Sequence, residues 1–156
     1  MERPTAPQPL SRALLEAILA DRLSDRSVCE LIWWRLGYRP NPTDARIWEA
    51  GPRTPLEWAE AFPQGPELIA ERPASVRLTR SIPKPHKQLL KNQLGFTGYR
   101  IGELYPRRTR RATAVNWLLA DLASRGESLP PDGPLPPLLD PPADPSGGHP
   151  GDLPVR

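Results

Sequence analysis

The sequence predicts a mainly α-helical fold with a small β element, an α+β fold. Three observations lead to this class. Serine and threonine residues precede apolar runs of helical spacing, one short segment alternates apolar and polar residues, and 156 residues suffice for a single domain. We expect about six helices and a short two-stranded pairing in one compact domain over residues 10–126. Residues 1–9 are expected to form a flexible N-terminus.

The first two predicted helices form a tight hairpin. Ser11 can cap a helix that runs to about Leu23, and Ser24 can cap a second helix that ends at Gly37. Because almost no loop separates them, the two helices should pack side by side. We assign this hairpin to the core and not to a DNA-binding helix-turn-helix, because its second helix offers Trp and Leu where base-reading side chains would be needed.

The residue pattern in the middle of the chain predicts short helical segments followed by the β element. Thr54, Pro55 and Glu57 form a capping box for a helix that ends near residue 62, and Pro66 and Glu67 open another brief turn of helix that runs to Arg72. Three aromatic residues are assigned to the core and not to a ligand-stacking platform: Trp48, Trp58 and Phe62. Apolar and polar side chains alternate along residues 76–82, which predicts a strand. Residues 99–104 are predicted to form a second strand that pairs with it.

Two helices and a tail complete the predicted chain. Pro83 starts a basic amphipathic helix that Gly95 ends, and Thr109 caps the last helix, which ends near Gly126. Residues 127–156 are rich in proline, with ten of the 23 prolines in the last 28 positions. Because such a segment buries too little apolar surface to offset the entropy of ordering, we expect a disordered tail. As an alternative, its PLPP steps could bind an aromatic groove as an extended ligand.

Positive charge is concentrated in one segment of the chain. Residues 72–111 contain eight Arg and three Lys against one acid, Glu103, a net charge of +10. Residues 1–71 carry a net charge of −3, and residues 112–156 carry −4. Unpaired like charges destabilise a fold unless something outside it uses them. The pattern therefore indicates an anionic partner, either RNA or DNA or an acidic protein surface.

The candidate anion-binding site lies at the start of the last predicted helix. Cations are disfavoured at the positive end of a helix unless an anion neutralises them. Free backbone N–H groups and forked guanidinium groups suit a phosphate or a carboxylate. The predicted site consists of Arg107, Arg108, Thr109, Arg110 and Arg111. The alternative is that acidic residues of the first 71 positions fold over these arginines and neutralise them.

A wider basic surface adds cations that are interleaved with aromatic residues. The cations are Arg77, Arg80, Lys84, Lys87, Lys91 and Arg100. The residues that could stack on bases are Phe96, Tyr99 and Tyr105. Cations combined with aromatic rings are typical of grooves for single-stranded nucleic acid. The tyrosines could equally pack beneath the basic helix.

The sequence has no catalytic motif, phosphate-binding glycine loop or metal-ligand spacing, so we predict a non-enzymatic protein without cofactor or metal. His86 is expected to be exposed, and Glu103 fits an internal salt bridge better than a general acid or base. The single cysteine, Cys29, excludes an internal disulfide and is expected to be buried. No secretory signal or membrane-spanning stretch occurs, which predicts a cytoplasmic location.

Three stretches resemble a small family of cyanobacterial and plastid proteins: ERPASVRLTRSIP, LGFTGYRIGE and TRRATAVNWLL. Weaker similarity includes CELIWWRLGY and NPTDARIWEA, so the resemblance covers about residues 10–124. The family is known as a domain of unknown function, number eighteen twenty-three. The resemblance implies a cyanobacterial cytoplasm and a connection with oxygenic photosynthesis, but no activity and no site residues. The proline-rich tail lies outside it.

These observations support two functional hypotheses. The first is a binding module that holds RNA or DNA phosphates on the surface between Arg77 and Arg111. The second is an accessory or assembly factor that docks on an acidic protein surface, such as that of a photosynthetic complex. Both use the same basic segment, and they differ in the chemistry of the partner.

Overall fold

The computed structural model describes residues 6–156, and within that range the predicted α+β class is confirmed. It contains α1 (Arg12–Leu19), α2 (Asp25–Arg35), β1 (Arg39–Pro40), β2 (Trp48–Glu49), α3 (Leu56–Ala61), α4 (Arg72–Ser81), α5 (Leu89–Leu94) and α6 (Pro106–Ser124). Single 3-10 turns lie at Lys84–His86 and Ile101–Glu103. Residues 1–5 of the predicted flexible N-terminus lie outside the described range.

The α1–α2 hairpin forms as the serine caps predict. The hydroxyl oxygens of Ser11 and Ser24 each accept a hydrogen bond from the N–H three residues further on, at 3.1 Å. Gly37 follows α2 with a φ of +88°, the left-handed conformation that glycine adopts without strain. One boundary differs: α1 ends at Leu19, and Asp21 takes a φ of +60° in the turn before α2. This turn places the Asp21 carboxylate beside the start of α6.

The β element lies elsewhere than predicted. Residues 76–82 belong to α4, and the sheet is the antiparallel pair of β1 and β2, with Arg39 opposite Glu49. Ala74 and Leu78 of α4 and Ile82 directly after it recur every fourth residue and are buried, so the helical period outweighs the short alternation of apolar and polar residues. Residues 99–104 form a loop with a 3-10 turn and not a second strand. The brief helix predicted from Pro66 to Arg72 is also absent: residues 68–70 form a turn, and α4 begins at Arg72.

Two predicted caps are not used. The Thr54 hydroxyl accepts a hydrogen bond from the Gly51 N–H at 3.0 Å, and no side chain caps α3. Thr109 lies inside α6, which begins three residues earlier at Pro106. The ring of Pro106 fixes a helical φ, and proline lacks the N–H that would be unpaired at a first helical position. The arginines around Thr109 therefore lie within the first two turns of α6.

The core surrounds α6, which packs against α1, α2, α4 and α5. Trp48 and Trp58 are buried, and Phe62 packs on the core, as the sequence indicates. The Cys29 thiol is also buried, and this burial raises its pKa to about 12. None of the helices in residues 6–156 combines the length and the apolar character that a membrane crossing requires.

The tail is not arranged as its composition predicts. Residues 127–156 form no helix or strand, yet they run along the domain surface and hydrogen-bond to it. The Arg12 N–H donates to the Pro130 carbonyl at 2.8 Å, and the Leu139 N–H donates to the Arg22 carbonyl at 2.9 Å. Leu129 and Leu138 add partly buried apolar contacts with the core. Composition counts the apolar burial but not the hydrogen bonds, which explains the difference.

Candidate anion-binding surface

Two of the arginines at the start of α6 are buried against carboxylates. Arg107 and Arg111 are 1% and 2% exposed and lie one helical turn apart, so both face the α1–α2 turn. Arg107 Nη1 donates to Asp21 Oδ2 at 2.7 Å, and Arg107 Nε donates to Asp25 Oδ2 at 3.1 Å. Arg111 Nη1 donates to Asp25 Oδ1 at 2.7 Å. Acids of the first 71 residues therefore neutralise these two arginines.

The electrostatics of this arginine–aspartate network favour the charged forms. Burial alone would lower the pKa of Arg107, but hydrogen bonds and charge from Asp21 and Asp25 outweigh it and raise that pKa above its ordinary value. Burial would likewise raise the pKa of Asp21, yet the Arg107 hydrogen bond and the charges of Arg111, Arg107 and His149 lower it. Within residues 6–156, every buried polar side-chain atom has a hydrogen-bond partner.

The tail supplies a third carboxylate to the network. The Asp152 side chain is 1% exposed, and its Oδ2 accepts from Arg107 Nη2 at 3.1 Å. Its Oδ1 accepts from the Asp25 N–H, the first of α2, at 3.0 Å. His149 Nε2 lies 3.0 Å from Asp21 Oδ1. Composition and spacing missed Asp21, Asp152 and His149; the acid excess of the two segments that flank the basic one was the available signal.

Arg110 has partners of a different kind. Its Nη1 donates to the backbone carbonyls of Ile69 at 2.8 Å and Ala70 at 3.2 Å, and its Nη2 donates to the Arg156 carbonyl at 3.2 Å. Burial and the neighbouring charge of Arg72 lower the pKa of Arg110 from its ordinary value. Arg110 thus ties the loop before α4 to the tail.

Arg108 and Thr109 complete the predicted cluster. The Arg108 guanidinium lies 5.0 Å from the Tyr99 ring centroid and 5.5 Å from that of Tyr105, within cation–π range. Its Nη1 is 3.7 Å from Glu103 Oε2, the internal salt bridge that the sequence favours for Glu103. The Thr109 hydroxyl donates to the Pro106 carbonyl at 3.1 Å. The five residues therefore do not converge on one open site.

The wider basic surface has a different character. We call it the basic face and define it by the six predicted cations Arg77, Arg80, Lys84, Lys87, Lys91 and Arg100. Arg77 and Arg80 lie on α4, Lys91 lies on α5, and the rest lie in the connections around these helices. Within residues 6–156, none of the six forms a salt bridge with an acid. Within the described residues, no carboxylate therefore neutralises their positive charge through a salt bridge.

A cleft of about 330 Å³ opens beside Lys87 and Lys91. We call it the lysine cleft. Its lining includes Thr79, Thr97 and Thr113, together with the apolar residues Ile82, Leu90, Phe96 and Ala112. A second cleft of about 300 Å³ lies beside Arg77 and Arg80, so the C-terminal half of α4 contributes to both. Four of the six cations line these two clefts, whereas Lys84 and Arg100 line neither.

The predicted stacking residues do not share one environment. Phe96 lines the lysine cleft and meets Tyr99 edge-on, with ring centroids 5.1 Å apart. Tyr99 and Tyr105 lie against Arg108, so both rings already have a cation partner. Burial raises the pKa of Tyr99, although the nearby Arg108 opposes that effect. Phe96 is therefore the aromatic residue placed to contact a ligand in the cleft.

Asn116 holds the lysine cleft together, a role that the sequence did not indicate. Its Oδ1 accepts from the Leu90 N–H at 2.9 Å, and its Nδ2 donates to the His86 carbonyl at 3.2 Å. The side chain is buried on α6. One amide thus satisfies two backbone groups at the start of α5 and fixes that helix on α6. His86 is half-buried and not fully exposed as predicted.

Fold and site together define a small α+β domain with one central helix and an internal arginine–aspartate network. The chain belongs to the family described as "Domain of unknown function (DUF1823)", whose model matches residues 9–123. It is also similar to a solved structure titled "Solution NMR structure of the protein". That similarity has 46% identity, a TM-score of 0.64, and covers 81% of this chain and 100% of the other. No curated protein matches.

Proposed function

We propose that this chain is a non-enzymatic binding module whose basic face binds the phosphates of single-stranded nucleic acid, either RNA or DNA. One observation carries the proposal. The buried arginines of α6 have acidic partners, whereas Arg80, Lys84, Lys87 and Lys91 are without one in the described part of the chain. Exposed cations of one sign repel each other and attract an anionic partner.

The features of the lysine cleft suit single-stranded nucleic acid better than a duplex. Lys87 and Lys91 can pair with phosphate oxygens, and the Phe96 ring offers a surface on which one base can stack. Its volume of about 330 Å³ is at the lower end of the range for ligand pockets, which suits one unstacked nucleotide. The two longest helices of residues 6–156, α2 and α6, are packed into the core and are therefore poorly placed to enter the groove of a duplex.

The salt dependence of binding tests the proposal. Labelled single-stranded RNA and DNA are titrated with the full chain at several salt concentrations, and the dissociation constant is measured by fluorescence anisotropy. We expect affinity to fall steeply with salt because bound phosphates release counterions. Replacing Arg80, Lys84, Lys87 and Lys91 with Gln should reduce the slope of log K against log[salt] by about 0.7 for each phosphate that the variant no longer neutralises.

The matched control removes four exposed charges elsewhere. Replacing Arg12, Arg46, Arg53 and Arg125 with Gln changes the net charge equally but leaves the basic face intact. The control should keep the wild-type slope. Equal losses in both variants would show that total charge, and not this surface, determines binding. Absence of binding to either nucleic acid at low salt would contradict the proposal.

A protein partner is the second candidate, and the loop beside the basic face favours it. Ile101 is 91% exposed and Leu104 is 53% exposed, next to Arg100. Apolar side chains beside a cation suit a docking site on an acidic protein surface, such as that of a photosynthetic complex. Isolation of partners from native lysate with and without nuclease distinguishes the candidates. A protein recovered equally in both cases, and lost when Ile101 and Leu104 are replaced with Ser, would favour docking.

A further inference from the structure

We infer that the domain has a groove for an extended, aspartate-bearing, proline-rich peptide, and that the tail of this chain is a displaceable ligand of that groove. We call it the tail groove. It is formed by the N-terminus of α1, the α1–α2 turn, the start of α6 and residues 69–72. The partner that it fits is a segment of the same chemistry on another molecule.

The first end of the groove uses the free N–H groups of a helix. The first N–H groups of a helix have no partner within it. In α1 these are the Arg12 N–H, which donates to the Pro130 carbonyl at 2.8 Å, and the Ala13 N–H, which donates to the Pro131 carbonyl at 3.1 Å. Proline carries a carbonyl acceptor but no N–H donor, so consecutive prolines meet these donors and leave no donor unsatisfied.

The centre of the groove holds a carboxylate. Asp152 accepts from the Asp25 N–H at 3.0 Å, from Arg107 Nη2 at 3.1 Å and from the His149 N–H at 2.8 Å. Hydrogen bonds between a carboxylate and a guanidinium group are shorter and stronger than neutral ones. The α2 N-terminus adds favourable charge. The Asp152 side chain therefore anchors the tail much as a carboxylate ligand would.

A glycine lets the tail approach this anchor. Gly148 has a φ of +80°, and a Cβ added there would lie 2.6 Å from Arg107 Nε and 2.6 Å from Asp152 Oδ2. Arg107 cannot swing away, because Asp21 and Asp25 hold its guanidinium group. Gly151 also has a positive φ, +93°, but open space surrounds its Cβ position. Alanine at either position would strain the backbone, but only alanine at position 148 would also collide with Arg107 and Asp152.

At the far end of the groove, the backbone of the tail forms hydrogen bonds with the backbone of residues 70–72. The Arg156 N–H donates to the Ala70 carbonyl at 2.7 Å, and the Arg72 N–H donates to the Arg156 carbonyl at 3.1 Å. Arg110 adds its guanidinium group to the same Arg156 oxygen at 3.2 Å. This reciprocal pairing is the pattern by which extended peptides bind an exposed backbone edge.

The tail is separable from the domain that binds it. Three of its five leucines stay substantially exposed, Leu135 at 43%, Leu139 at 40% and Leu153 at 49%, while Leu129 and Leu138 are only partly buried against the core. The family model ends at residue 123, and the similar solved structure matches along all of its own length while leaving about a fifth of this chain unmatched. A few polar anchors and the tether therefore hold the tail, and a tether of this kind supplies an effective concentration of about a millimolar.

The test adds a labelled peptide of residues 144–156 to full-length protein and measures binding by fluorescence anisotropy. In the Gly148→Ala variant, the collision with Arg107 should displace the tail and leave the groove open. The wild-type peptide should therefore bind this variant at least tenfold more tightly than it binds the wild-type protein. Gly151→Ala should remain close to wild type. A peptide with Asp152→Asn should bind Gly148→Ala at least tenfold more weakly than the wild-type peptide.

Amide hydrogen exchange shows whether the tail has left the groove. In Gly148→Ala, exchange should accelerate in residues 129–156 while α6 keeps its protection, which also confirms that the domain is folded. A dimer of this variant that dissociates with excess peptide would support the groove, because a second copy's tail would then fill it. Unchanged tail exchange would overturn the inference. Release of the tail with neither peptide binding nor dimer formation would overturn it as well.

Discussion

Two groups of cations come from one stretch of sequence but have opposite surroundings. Arg107 and Arg111 are buried and paired with carboxylates, whereas Lys87 and Lys91 line an open cleft and have no acidic partner in residues 6–156. Net charge treats these residues alike. Position on a helix separates them, because residues 107 and 111 lie one turn apart on the inward face of α6. Charge along the chain therefore indicates a surface only after the helical faces are known.

The difference also concerns what each cation contributes. Charges removed from water destabilise a fold unless they are paired and hydrogen-bonded, and breaking such a pair leaves an uncompensated charge behind. Exposed cations interact weakly through water and are screened by salt. The arginine–aspartate network should thus determine stability, and the basic face should determine binding. Substitutions in the two groups of cations should therefore have different effects on stability.

The largest expected effect is on Arg107. Replacement with Met keeps much of the side-chain volume but leaves Asp21 and Asp25 with fewer donors in a buried site. Breaking a buried pair in this way costs about 3–5 kcal/mol of unfolding free energy. Urea denaturation measures the loss. Arg80→Met, on the basic face, is the control and should change stability by less than about 0.5 kcal/mol. Similar losses in both would refute this difference.

The second prediction concerns Asn116, which links the interior to the lysine cleft. Replacement with Ala leaves the Leu90 N–H and the His86 carbonyl without their partner. We expect a loss of about 1–3 kcal/mol, the usual penalty for unsatisfied buried polar groups. Hydrogen exchange should accelerate in α5. Thr113→Ala, also on α6, is the control, and it should leave the exchange of α5 unchanged. Faster exchange of α5 in Thr113→Ala but not in Asn116→Ala would contradict the role of Asn116.

Local signals in the sequence account for most of the helical framework. Ser11 and Ser24 cap their helices, and Gly37 and Gly95 end theirs in the left-handed conformation, because these features depend on a few adjacent residues. The β element was misplaced since β1 and β2 have only two residues each, too few for a periodic pattern. Residues 76–82 fit both a short alternation and a helix, and burial of Ala74, Leu78 and Ile82 decides for the helix.

The arginine–aspartate network depends on contacts between distant parts of the chain, which the sequence does not reveal. Asp25 and Asp152 meet across the domain, and their carboxylates converge on an arginine from α6. No spacing rule relates residues so far apart. The opposite net charges of the segments were visible, and they correctly raised internal neutralisation as an alternative. They could not show which arginines the acids would reach, and composition hid the anchors of the tail.

Acid should weaken the network at Asp21. Arg107, Arg111 and His149 face this carboxyl group, and its pKa in the folded state lies below the ordinary value of 3.8. A depressed pKa contributes stability that is fully present above the unfolded pKa and is lost as pH falls through the folded one. The Tm difference between wild type and Asp21→Asn should therefore be constant at neutral pH and shrink below about pH 4. A difference that grows with acidity would contradict this sign.

The smallest expected effect on stability belongs to the basic face. Replacing Arg80, Lys84, Lys87 and Lys91 with Gln breaks no salt bridge within residues 6–156, although Lys87 Nζ loses a hydrogen bond to the Thr79 carbonyl at 3.3 Å. Removing mutual repulsion should offset that loss, so the unfolding free energy should stay within about 0.5 kcal/mol of wild type.

The salt dependence of stability also tests the difference between the buried arginines and the basic face. Salt screens exposed charges much more than buried pairs, with a Debye length of about 10 Å at 0.1 M. Added salt should therefore stabilise the wild-type protein slightly by weakening repulsion on the basic face, and the Gln variant should respond less. Thermal unfolding at low and high salt measures this. A loss above about 1 kcal/mol in the variant at low salt would mean that these cations, like Arg107, have internal partners that hold the fold together. Binding would then have to use another surface, because cations needed inside the fold are not free to bind phosphate.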